Sequence, residues 1–135
     1  MTRRELRENI FKIVFRAEFH GKDEMTEQRR EYMKDKVESD DISDKDNEYI
    51  REKAKNVISH IEEIDKMLEE ASDGWSVKRI GKTELAILRL AVYEIKFDDD
   101  IPFKVAVNEA VEISKNYCEP EASAFINGVL AKFSE

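Results

Sequence analysis

Apolar residues recur at helical spacing along nearly the whole chain. Leu6, Ile10, Ile13, Val14 and Ala17 form one stripe, which Phe11, Phe15 and Phe19 widen, because residues three and four apart share a helix face. Thr2 and Glu5 ahead of it make a T-x-x-E capping box, so a first helix is expected to end near Gly21. The charged stretch from about Thr26 to Val37 has only Tyr32, Met33 and Val37 to bury and predicts a peripheral helix at best, and ESDDISDKD after it reads as a polar loop. Tyr49, Ile50, Ala54, Val57, Ile58, Ile61, Ile64, Met67, Leu68 and Ala71 then predict one long amphipathic helix, stopped by Ser72-Asp73-Gly74. Trp75 to Ile80 reads as a short helix or turn. Thr83 is expected to cap TELAILRLAVYEIKF, which is apolar on nearly every face and therefore central and buried. Past an Asp98–Asp100 loop, Pro102 starts a helix through Tyr117, and Glu119-Pro120 separates it from a final segment.

That final segment, EASAFINGVLAKF, contains Asn127-Gly128 between apolar neighbours, a strong hairpin signal in isolation. A hairpin needs alternation on both arms, and VLAKF does not alternate. Ala122, Phe125, Ile126, Val129, Leu130 and Phe133 instead fall on one broad helical stripe. Helix is the expected state, with Gly128 admitting a close helix neighbour and Asn127 hydrogen-bonding between helices.

Composition supports an all-α reading. Two prolines and four glycines in 135 residues leave little punctuation for a turn-rich β architecture, and no linker divides the chain into independent domains. One cysteine excludes a disulfide framework, and with two histidines it leaves too few soft ligands for structural zinc. Cys118 lies in acidic NYCEPE, unlike the basic setting of reactive thiols, and reads as a small buried or half-buried side chain. MTRRELRENI carries charge where a signal peptide is apolar, and no apolar run approaches the ~20 residues of a membrane span. A cytoplasmic protein without membrane association is expected.

Net charge is −8, which argues against nucleic acid until its distribution is considered. Residues 1–16 hold five basic and two acidic side chains, a net of +3, while the other 119 positions hold 18 basic and 29 acidic ones, a net of −11. Arg3, Arg4 and Arg7 occupy the first two turns of the first helix, where the dipole disfavours each exposed cation by roughly 0.3–1 kcal/mol. Forked guanidinium donors suit phosphate, and Arg3 and Arg7 lie four apart. A solvated face paired with Glu5, Glu8 or the acidic remainder explains the same pattern. Phe15 could stack an unpaired base or fill the core. Arg89, inside the most apolar helix, calls for an ion pair with a carboxylate such as Glu109 or Glu112, and His20 and His60 read as exposed helix residues. The sequence holds no Gly-rich phosphate loop, nucleophile elbow, metal motif or acid/base pair at defined spacing, so no enzyme, cofactor or metal is expected.

Three stretches carry a resemblance: RRELRENIFKIVF, KTELAILRLAVYEI, and PFKVAVNEAVEISKNY followed by FINGVLAK. Together they resemble the NusB family of bacterial transcription antitermination factors from Arg3 to Lys132. The resemblance implies two small helical bundles sharing one core, about residues 1–72 and 75–135. It also implies pairing with the ribosomal protein NusE, binding of single-stranded boxA RNA, and entry into an RNA polymerase complex that resists termination during ribosomal RNA synthesis. The family's arginine-rich motif falls on Arg3, Arg4 and Arg7, and its helix-one aromatic, usually tyrosine, on Phe15. Its acidic residue falls on Glu84, preceded by Lys82, and the aromatic before Asn-Gly on Phe125. All are RNA-side or RNA-proximal positions by this resemblance. The chain departs from the family at Ile10, usually alanine, at Lys12, usually glutamine, and at Ala124, often lysine, with Lys12 offering partial compensation for that lost charge. Two rivals remain: an RNA-binding module like that fused to some ribosomal RNA methyltransferases, and a protein-binding adaptor in ribosomal RNA maturation. The resemblance leaves open a homodimer that hides the arginine face.

Overall fold

The computed structural model describes residues 1–19, 43–74 and 76–134. The expected peripheral helix, His20, Gly21 and Trp75 lie outside them. Every regular element among the described residues is helical, and they group into two units, Met1–Ser59 and His60–Glu135.

In the first unit, α1 spans Arg3–Arg16 and runs into a 3-10 turn over Ala17–Phe19. The capping box forms as expected: Thr2 Oγ1 accepts from the Glu5 N–H at 3.1 Å, and the Glu5 carboxylate accepts from the Thr2 N–H at 3.0 Å. The Thr2 N–H, and after it the Thr2 hydroxyl, hold the Glu5 carboxyl below its usual range. Helix α2, Asp44–Ser59, packs on α1 and buries Ile50, Ala54 and Val57, opposite a stripe that supplies Ile10, Phe11, Ile13 and Val14. It starts inside the stretch read as a loop. Ser43 Oγ accepts from the Asp46 N–H at 3.2 Å, and Asp44 and Asp46 place negative charge in the first turn.

The long helix expected to reach Ala71 is broken. Ser59 ends α2, His60 takes φ −105° and ψ 8°, and Ile61–Ala71 forms α3. The division into units falls here and not after Ser72. Val57, Ile64 and Leu68 keep helical spacing across the break, so the apolar pattern carries no sign of it. His60 is not an exposed helix residue. It is half-buried, its ring 4.5 Å from that of Phe97 and 5.7 Å from that of Tyr93.

The second unit is built around α4, Lys82–Phe97, whose residues from Leu85 to Glu94 are all buried. It packs against α3, α5 (Phe103–Tyr117) and α6 (Pro120–Ala131). The stop after α3 is as expected: Asp73 and Gly74 have φ of 57° and 87°, and the Gly74 N–H reaches the Glu69 carbonyl at 3.1 Å. The N-cap of α4 is Gly81, with Thr83 already in the first turn. Pro102 is the N-cap of α5, and Pro120 is inside α6 at its start, where its missing N–H costs nothing. Ser114 Oγ donates to the Val111 carbonyl at 2.6 Å and accepts from Ser123 Oγ at 2.7 Å, which ties α5 to α6.

Arg89 needs a counter-charge, and Asp65 on α3 supplies it. Nε and Nη2 meet the two carboxylate oxygens at 2.9 and 2.8 Å, a forked pair with Arg89 6% exposed. Asp65 lies two helices before the expected Glu109 and Glu112, which are on α5. Asn127-Gly128 is helical, and Ala122, Ile126, Val129, Leu130 and Phe133 of the expected stripe are buried. Gly128 does not admit a close helix neighbour as expected: it is exposed, and a Cβ added there would meet nothing within 4 Å. Asn127 is also exposed. Neither mediates a close helix approach.

Candidate nucleic-acid interface

The first unit gathers five of the eight sequence-derived positions on α1. Arg3 and Arg4 are exposed at its N-terminal turn, and Lys12 is half-buried. Arg7 differs, with only 4% of its surface exposed. The reason is positional: Arg7 precedes Ile10 by three residues, Phe11 by four and Val14 by seven, so it lies in line with the apolar stripe. Such a guanidinium is not displayed to a phosphate in solvent. Phe15 is half-buried between two rings, 6.5 Å from Phe11 and 5.2 Å from Phe19 with an edge-on approach. Phe19, absent from the expected site, is 54% exposed and extends this aromatic row. Its four-residue spacing from Phe15 was visible in the sequence, but nothing there separated it from a core position.

The second unit holds the other three. Lys82 is exposed at the first position of α4, and Glu84 is partly buried two residues later. Glu84 folds back toward the N-cap, where a Cβ on Gly81 would collide with its carboxylate. Burial, then the Glu84 charge and hydrogen bond, push the Cys118 thiol from 9.0 up to about 11. A half-buried thiol held protonated is no nucleophile at neutral pH. Phe125 points away from the core of its own stripe and is 38% exposed. It lines a hollow of about 450 Å³ with Ala71, Ser72, Asp73, Ala124, Gly128, Val129 and Lys132, and Lys132 Nζ meets the Asp73 carboxylate there at 3.0 Å. Lys82 and Glu84 do not line that hollow.

Cationic forks, aromatic rings and carboxylates are the group types that engage phosphate, unstacked bases and base amines respectively. Among the described residues no cluster of three or more His, Cys, Asp or Glu side chains could hold a metal ion, and no helix is long and apolar enough to cross a membrane.

Comparison with known proteins bears on what these residues are for. The transcription antitermination protein NusB of Agathobacter rectalis is 52% identical over 134 residues, covering 99% of this chain and 100% of that protein. The solution structure of NusB from Aquifex aeolicus superposes with a TM-score of 0.80 at 30% identity, covering 97% of this chain and 86% of the other. A crystal structure of the antitermination factors NusB and NusE in complex with double-stranded RNA gives a TM-score of 0.79 at 26% identity, covering 97% and 94%. The NusB family model matches residues 4–135, and with the helical fold and the arginines at the start of α1 this establishes that the chain belongs to the NusB family.

Proposed function

We propose that the protein is a transcription antitermination factor that binds boxA-like RNA jointly with NusE and enters an RNA polymerase complex, without catalysing a reaction. The observation that carries this reading is the exposure of Arg3 and Arg4 in the first turn of a helix whose dipole opposes them, in a chain that is otherwise strongly acidic. Arg3, Arg4, Lys12 and Lys82 supply phosphate contacts. Phe15 and Phe125 offer ring faces to unpaired bases, and Glu84 accepts from a base amine or a 2′-hydroxyl. Arg7 falls outside the phosphate set because it is buried, and its part is to brace α1.

A net charge of −8 with one basic end implies weak binding by the protein alone, and a second RNA-binding surface from NusE tightens it. Titrating labelled boxA-like single strands and the matching duplex, with and without NusE, tests this reading. The expected result is tight single-strand binding only in the presence of NusE. Equal affinity with and without NusE would contradict it, and preference for duplex would move the site from base faces to backbone.

A further inference from the structure

Resting on the RNA reading of the start of α1, we infer that Tyr49 of α2 adds a phosphate contact beside it, with its hydroxyl aimed by the buried ammonium of Lys53. Asp46, Tyr49 and Lys53 stand at i, i+3 and i+7, so they share one side of α2. That line begins next to the arginines of α1: the Asp46 carboxylate accepts from the ammonium of Met1 at 3.2 Å, and Met1 is two residues ahead of Arg3. The same ion pair answers the negative charge of Asp46, which would otherwise repel a phosphate. Tyr49 follows one turn later and is 43% exposed, so a ligand lying on Arg3 and Arg4 can reach it. Glu48 and Glu52 fall about 100° round the helix from this line.

Lysine is seldom buried, yet Lys53 is only 5% exposed. Its Nζ donates to the Tyr49 hydroxyl at 3.2 Å and is 5.5 Å from the centre of the ring. The cation therefore sits beyond the oxygen and not across the ring face. A phenol has one proton to donate and lone pairs to accept with. With a lone pair taken by an ammonium, the O–H is turned away from Lys53, and the cation polarises it into a stronger donor. A polarised neutral donor next to two arginines suits an anionic oxygen, and tyrosine hydroxyls are among the groups that hold nucleic-acid phosphates in register. Lys53 is the positioning residue here and needs no contact with RNA itself.

In titrations of a boxA-like single strand with NusE present, Tyr49→Phe, which keeps the ring and removes the hydroxyl, should weaken binding by about tenfold, the worth of one hydrogen bond to a charged group. Methylphosphonate linkages, which remove the charge of one phosphate at a time, locate the partner. At one linkage the wild type should lose about tenfold and Tyr49→Phe little further, since both changes delete the same contact. Tyr49→Phe deprives a buried ammonium of its acceptor, so a thermal melt accompanies it. Tyr49→Phe combined with Lys53→Met leaves no such charge behind and should show the same RNA loss in a folded protein. Wild-type affinity in a folded variant, or equal sensitivity of wild type and Tyr49→Phe at every linkage, would overturn the inference. Failure of the wild type itself to bind would overturn the RNA reading and this inference with it, so the two failures appear in different samples.

Discussion

At the scale of single residues, Asp65 answers the buried charge of Arg89. Removing its carboxylate from Arg89 leaves a guanidinium buried in the most apolar helix without its forked partner. Asp65→Ala is expected to destabilise the fold by about 3 kcal/mol, while replacing both residues with apolar ones of similar volume should cost much less. Chemical denaturation of the single and double variants separates the two, and equal losses would show that the pair itself carries net stability. Gly128 gives the opposite case. Exposed, helical and with open space at its Cβ position, it should accept alanine with a gain of about 0.5–1 kcal/mol. A lowered melting temperature for Gly128→Ala would restore the close-contact account. Cys118 titrates with a definite sign. Its folded pKa is raised from 9.0 to about 11, so the stability it contributes is complete below 9 and is lost as pH rises toward 11. Wild type should lose more stability across that window than Cys118→Ser, and parallel curves would contradict the shift. That Arg89 needs a partner was legible in the sequence, because a charge inside an apolar helix must be paired. Which carboxylate answers depends on the placing of α3 against α4, which no local pattern encodes.

At the scale of elements, α1 shows how far local chemistry reaches. The capping box was legible from Thr2 and Glu5 alone, since it needs only residues three apart. Thr2→Ala should destabilise the first unit by about 1 kcal/mol. Because the Glu5 carboxyl is held below 4.5, its contribution is present above that value and fades as pH falls through the lowered one. The difference between wild type and Glu5→Gln in thermal melts should therefore shrink in acid, and a gap independent of pH would rule out the box as its source. Arg7 was also legible, though it was read by residue type. Its spacing to Ile10, Phe11 and Val14 puts it on the core face, and periodicity decides burial for a long amphipathic side chain. The break at His60 was not legible. No glycine or proline marks it, the apolar spacing runs through it, and the bend lies in backbone angles open to any residue. The division of the chain at Ser59 was therefore hidden as well.

At the scale of the whole molecule, charge distribution matters more than net charge. A net of −8 keeps an acidic protein from binding nucleic acid indiscriminately, and the +3 of residues 1–16 confines attraction to one end. Binding that depends on few phosphate contacts is weak alone, strengthened by a second protein, and modest in its salt dependence. The helical class and family membership were legible because helical periodicity and the three quoted stretches span nearly the full length. The most direct test pairs Arg3→Ala with Arg4→Ala in one variant and measures RNA affinity against salt in the presence of NusE. Loss of two cations from a helix N-terminus should leave the fold intact or slightly more stable. Affinity should fall, and the slope of log affinity against log salt should become shallower by about 1.4, from roughly 0.7 per phosphate contact on a single strand. A well-folded double variant with unchanged affinity and unchanged slope would contradict the RNA role of this helix end.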